Sequence, residues 1–350
     1  MKSMIRDTLV ASAATVLLAV SPALAEELSV VGSWSSLPLH KQFETPFWTK
    51  TLPDASGGEI SVQMTTHDQM GIKGGDVYRM LGDGVFDIGM TVADYAVGDA
   101  PELEGLDVPL VATTPAEAKA MVEAARPMVE DIFKDRFNAK VLAIAPYPPQ
   151  VVFCKGDIAS LDDLAGKKIR GSGRMTTKFL EALGAEGVNV AFSEVPGALE
   201  RGVIDCAVTG SGSGYSAGWW EVSDTLMTLP LGGWDPVVTA VNMDRWDSLS
   251  DDTKAMITAK VAAEFEAPAW ATATGSLEMD VACLTGNGEC SMGKPASMKL
   301  VAPNDADTAK ARKILTETVL PEWAERAGTD WAKRWNESVG KTVGVQIPLS

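Results

Sequence analysis

Histidine is nearly absent from this chain: it has two, His40 and His67, and neither has a local context that pairs it with a nucleophile. With four cysteines beside them, no spacing resembles a zinc site. A G-x-S-x-G nucleophile elbow is missing as well, because position 212 in the run Gly210 to Gly214 is glycine. Positive charge is scarce, with 30 Lys and Arg against 47 Asp and Glu, for a formal charge of −17. An acidic surface of that strength argues against nucleic acid and anionic lipid as partners. It also means that an anionic ligand needs a local cationic pocket. Beyond the N-terminus no apolar run is long enough to span a membrane, so no membrane insertion of the mature chain is expected. Tandem repeats, low-complexity tracts and an obvious flexible linker are lacking too.

The N-terminus sets the compartment. Lys2 and Arg6 precede an apolar or small-residue stretch from Leu9 to Val20, and Ala23-Leu24-Ala25 closes with a signal-peptidase pattern. We therefore expect residues 1–25 to be a cleaved signal peptide and the product to lie in the periplasm. Removing Lys2, Arg6 and Asp7, a net +1, takes the charge from −17 to −18. The remaining 325 residues exceed what one core usually serves, so two domains are expected. In an oxidising compartment the four cysteines suggest disulfides. Cys283 and Cys290 flank a turn-rich Leu-Thr-Gly-Asn-Gly-Glu loop that can bring them together. Cys154 and Cys206 both lie on expected strands; they pair if those strands are neighbours and are otherwise buried thiols.

Strand-like and helix-like segments alternate along the chain, which reads as α/β with mostly parallel sheets. Leu28–Gly32, Glu59–Met64, Val85–Met90, Lys140–Ala145, Val203–Thr209 and Val237–Asn242 read as strands. Helical spacing covers the stretch after Pro115, with Pro127 a kink, and the stretch from Ser250 to about Leu284. With no linker in view, domain crossing is expected inside strands or helices.

Arg170 is the most informative residue. Ser160 can cap a short helix through Leu164, Gly166 can end it, and Lys167–Arg170 then reads as a brief strand. Gly171, Ser172 and Gly173 allow a sharp exit into the next helix. The guanidinium thus sits at a strand end beside a helix N-terminus, a planar fork suited to a carboxylate. The plainer alternative is a surface arginine in a salt bridge. Gly212-Ser213-Gly214-Tyr215-Ser216-Ala217 matches G-x-G-x-x-A after a strand, but free nicotinamide cofactors are not expected outside the cytoplasm. A close backbone approach to a ligand is the better reading of those glycines. Trp34 and Trp234 flank strand ends, where rings can wall an apolar ligand body. The many carboxylates read as solvated helix faces, and none is singled out as an acid–base pair.

An ordered set of motifs resembles the periplasmic solute-binding proteins of tripartite ATP-independent periplasmic (TRAP) transporters, the DctP-like family. Gln69-Met70-Gly71, Leu81 to Gly89, Leu106 to Leu110, Asp163 to Arg170, and Phe192 to Asp205 carry the resemblance in chain order. It implies two lobes, residues 26–150 mainly the first and 151–245 mainly the second, with 246–350 bracing and completing both. It further implies a long bracing helix and a hinged cleft, with Arg170 binding the ligand's carboxylate. By position the family's cleft recruits Trp34, Ser35, Thr91–Val92, Gln150, Thr209 to Ser211, and Trp234–Asp235. Many members carry a second arginine where Gln150 falls and an asparagine where Thr209 falls, and both are absent here. A Glu-Trp pair that helps hold a metal in one branch is lacking near Val208–Thr209, and Asp235 alone is a poor cation cage. No metal and no cofactor are therefore expected. The function implied is capture of a small organic acid, an aromatic or hydroxy monocarboxylate, for a TRAP membrane permease. Two alternatives are an exported hydrolase using a serine in the 210–214 loop and a ligand-sensing subunit for a receptor.

Overall fold

The fold is that of a computed structural model describing residues 26–349. The expected signal peptide, residues 1–25, lies outside the described residues. Among these, no helix is long and apolar enough to cross a membrane.

Two sheets form the centres of two lobes. The first combines β1 (Glu26–Gly32), β2 (Ile60–Thr66), β3 (Ile88–Val92), β4 (Ala139–Ala145) and β10 (Val237–Asn242), in the order β2-β1-β3-β10-β4. The second combines β5 (Gln150–Cys154), β6 (Lys168–Arg170), β7 (Glu186–Val188), β8 (Cys206–Gly210), β9 (Thr225–Met227) and β11 (Lys299–Val301), in the order β11-β9-β5-β8-β6-β7. The inner strands β3, β5, β8, β9 and β10 are buried at every residue, as in a sheet covered on both faces, while the edge strands β2, β7 and β11 are partly exposed.

The sheets are mixed, with five of the nine strand pairings parallel and four antiparallel. β10 runs antiparallel to β3 and β4, and β5 runs antiparallel to β8 and β9. Each of these two strands is the first one laid down after the chain changes lobes, so it enters its sheet from the far end. One crossing runs through the helices between β10 of the first sheet and β11 of the second, as expected, whereas the other two are irregular segments, 146–149 and 228–236. They lie side by side: the Tyr147 N–H donates to the Trp234 carbonyl at 3.0 Å and the Gln150 N–H to that of Gly233 at 3.3 Å. β10 falls in the stretch expected for the second lobe but pairs in the first sheet, which moves the return crossing ahead of residue 237.

Of the helices, α1 (Pro115–Phe137) packs on β4 of the first lobe. Thr114 caps it in a reciprocal capping box with Glu117, and it runs through Pro127 without a break. The short α2 (Arg174–Ala182) follows β6, and α3 (Ser211–Ser216) follows β8. The long stretch expected after Ser250 is helical over 251–273 (α4), stops at Gly275 with φ of 74°, and resumes as α5 (Ser276–Thr285).

Both disulfides form. Cys154 and Cys206 stand directly opposite on β5 and β8, with Cα atoms 4.1 Å apart. Cys283 and Cys290 close their loop with Cα atoms 4.5 Å apart.

Candidate functional site

The local chain around Arg170 folds as its residues dictate. Ser160 and Asp163 form a capping box on the turn Leu161–Leu164, and Gly166 takes φ of 74° to end it. β6 then sits between β8 and the edge strand β7, and Arg170 is its last residue. The side chain is 3 % exposed, not on the surface. Its Nη1 donates to the Val208 carbonyl at 2.7 Å and its Nε to that of Val190 at 3.2 Å. Nη2 reaches across the cleft to the Tyr95 hydroxyl of the first lobe at 3.3 Å. The guanidinium also lies over the ring of Trp219, 5.9 Å from its centroid. Among the described residues no carboxylate oxygen comes within 4.0 Å of its nitrogens.

The lobes meet around a small cavity of about 10 Å³, room for roughly one water. Trp34, Tyr95, Tyr147 and Phe192 wall it, and Arg170, Thr209, Ser213 and Asp235 supply its polar groups. Trp34 is the centre of the aromatic wall, with ring centroids 5.5 Å from Tyr95, 6.1 Å from Tyr147 and 6.0 Å from Phe192. The wall draws on both lobes and on the first crossing segment, so closing the lobes assembles it.

Of the ten residues with side chains expected at the site, Arg170, Trp34, Val92, Thr209 and Asp235 line this cavity. The other five are placed elsewhere. Trp234 is 2 % exposed and donates its indole N–H to the Ala112 carbonyl, so it serves the core under the crossing. Gln150 is fully buried and donates to Asp107 Oδ2 at 3.1 Å. Ser211 donates to Asp280 Oδ2 at 2.5 Å, and its place on the cavity is taken by Ser213. Ser35 is tied to Asp68 through its N–H and hydroxyl. Thr91 is buried in β3, while Val92 of the same expected pair reaches the cavity. The glycines of the G-x-G-x-x-A match have packing duties: a Cβ at Gly214 would overlap the Phe153 ring, and one at Gly212 would press on Asp280 at 3.0 Å.

Three carboxylates correct the reading of the acids as solvated faces. Asp94, Asp107 and Asp235 are 5, 1 and 7 % exposed, and one oxygen from each lies within 4.8 Å of the others. Asp107 fastens both irregular crossings, accepting from the Asp235 N–H at 2.8 Å and from Gln150. Burial pushes the Asp107 carboxyl up to about 6, against the pull of those hydrogen bonds. Burial, reinforced by Asp107, also drives Asp94 and Asp235 well above the ordinary range, with Arg170 opposing. Burial likewise lifts the Tyr95 phenol to about 12.

The body is thus a two-lobed α/β fold with a buried arginine beside the cavity where the lobes meet. Residues 34–280 match the family described as bacterial extracellular solute-binding protein, family 7 (DctP), and the chain belongs to it. These are the TRAP solute-binding proteins, receptors and not enzymes, which sets the hydrolase alternative aside. Solved structures agree on the fold. A Bordetella pertussis extracytoplasmic solute receptor binding pyroglutamic acid, DctP7, superposes with a TM-score of 0.79 at 20 % identity, covering 91 % of this chain and 100 % of that one. A TRAP binding protein from Desulfovibrio salexigens with bound orotic acid gives 0.79 at 17 % identity, covering 91 % and 98 %. A marine metagenome TRAP binding protein specific for aromatic acid ligands, in complex with 3-hydroxybenzoate, gives 0.76 at 26 % identity, covering 92 % and 98 %.

Proposed function

We propose that this protein captures a small, ring-bearing monocarboxylate in the periplasm and hands it to a TRAP membrane permease. One observation carries the reading: a buried guanidinium that has no ion pair among the described residues and faces a cavity walled by aromatic rings. A buried cation without a counter-ion is unfavourable, and a carboxylate presented to its free N–H donors relieves that. Arg170 makes three hydrogen bonds to protein and has five N–H groups, so donors remain for the guest. A single cationic group at the cavity favours one carboxylate over two. The rings of Trp34, Tyr95, Tyr147 and Phe192 favour a flat or compact body behind it. Pyroglutamate, orotate and 3-hydroxybenzoate, held by three of the similar structures, are of this kind, whereas malonate and succinate, held by two others, are open-chain diacids.

A thermal-shift panel tests it. Ring monocarboxylates are expected to raise the melting temperature in proportion to their affinity, by mass action, while neutral sugars and polyamines leave it unchanged. A panel in which only sugars or cations shift the transition would overturn the proposal.

A further inference from the structure

Resting on that reading, we infer that the ligand carries a hydrogen-bond donor as well as its carboxylate, and that Asp235 receives it. The cavity pairs one cationic side chain with one acidic one, Arg170 and Asp235. Asp235 is 93 % buried by its 7 % exposure, and its Oδ1 has no hydrogen-bond partner. Its backbone takes φ of 41°, in the left-handed region that a non-glycine residue adopts only when its surroundings hold it there. Trp234 and Pro236 flank it, and the Asp107 carboxylate grips its N–H at 2.8 Å. The fold therefore fixes this carboxylate at the cavity wall and leaves an acceptor unanswered.

The charge count points the same way. Asp94, Asp107 and Asp235 crowd within 4.8 Å of one another, with Arg170 the basic residue lining the adjoining cavity. A guest that brings only a carboxylate adds a fourth acidic group to this enclosure and leaves the Asp235 oxygen unpaired. A guest with an N–H or O–H beside its carboxylate satisfies both ends at once, the acid on Arg170 and the donor on Asp235. Lactams such as pyroglutamate and ring hydroxy acids such as 3-hydroxybenzoate have that pattern. Their plain counterparts, cyclopentanecarboxylate and benzoate, do not.

Calorimetric titration of these two matched pairs into the whole protein is the test, with Asp235→Asn and Arg170→Ala beside wild type. Asparagine tolerates the left-handed backbone, and the variant's circular dichroism and melting temperature verify its fold. In wild type the donor-bearing member of a pair is expected to bind about tenfold tighter, since satisfying a buried, unpartnered acceptor is at stake. In Asp235→Asn that ratio shrinks several-fold while the plain acid is affected less. Arg170→Ala weakens both members together, which separates failure of this inference from failure of the carboxylate reading. Equal affinity for both members in wild type, or an unchanged ratio in folded Asp235→Asn, would overturn the assignment. So would a preference that vanishes on adding EDTA, because a cation would then be what the acids hold.

Discussion

At the scale of single residues, most of the chemistry is burial acting on charge. Arg170 keeps its charge inside the molecule because two backbone carbonyls, a phenol and an indole face support it. Arg170→Lys keeps the charge but loses the planar fork, so it is expected to fall between wild type and Arg170→Ala in affinity for an acid. Asp280 is a further buried acid, outside the cavity lining. Burial raises it to about 6 from 3.8, although Ser211 and the Gly212 N–H donate to it. A carboxyl raised on folding binds its proton more tightly in the folded state, so its contribution is present below about 4 and is lost as pH rises through about 6. Asp280→Asn keeps an acceptor for Ser211 without the titration. It is expected to flatten the fall of melting temperature between pH 4 and 7 and to raise stability at pH 7 by roughly 1–3 kcal/mol. His67, lowered mainly by burial, works in the opposite sense and stays in place in both proteins, so the difference between them isolates Asp280. Identical pH profiles would contradict this.

At the scale of elements, the lobes fit together through contacts that a few atoms can spoil. Gly173, at the start of α2 in the second lobe, lies against the Asp94 carboxylate of the first, and a Cβ there would overlap Asp94 Oδ2. Its backbone is extended, so alanine brings no backbone strain, only this clash. Gly173→Ala is expected to hold the lobes apart and to weaken acid binding at least about tenfold by depleting the closed state. The double variant with Asp94→Ala should recover closure, measured as the ligand-induced decrease in radius of gyration by X-ray scattering. No recovery would place the defect elsewhere. The Cys154–Cys206 bridge ties β5 to β8, the strand that carries Thr209 and gives Arg170 its Val208 carbonyl. Replacing both cysteines by alanine is expected to cost about 2–5 kcal/mol in denaturant unfolding.

This is also the scale at which the sequence ceases to be readable. The cap at Ser160, the turn at Gly166 and the arginine on its strand end are local, and local rules place them where they stand. Tyr95, Tyr147, Phe192, Asp94 and Asp107 carry no local mark, because each matters only for what tertiary closure sets beside it. Asp94 and Asp107 look like any solvated acid until the crossing segments cover them. Trp234 and Gln150 stand beside the cavity in the chain, yet their side chains turn into the protein; only packing decides which way a residue at a crossing points. The reversal of β5 and β10 is likewise a consequence of lobe exchange, which strand periodicity does not record.

At the scale of the whole molecule, the two lobes are joined by crossings, the irregular ones bonded to each other and to Asp107, and they enclose about 10 Å³. If the guest is the ring-bearing acid proposed above, it does not enter such a space unless the lobes part and close again on it. Closure shields the ion pair from water, and the strength of that pair is what the account rests on. The most direct measurement is isothermal titration of a ring monocarboxylate into wild type and Arg170→Ala, both verified as folded. The account predicts a loss of at least about 100-fold in affinity for the variant, the magnitude for truncating a buried hydrogen-bonded charge. An affinity unchanged within error would contradict it.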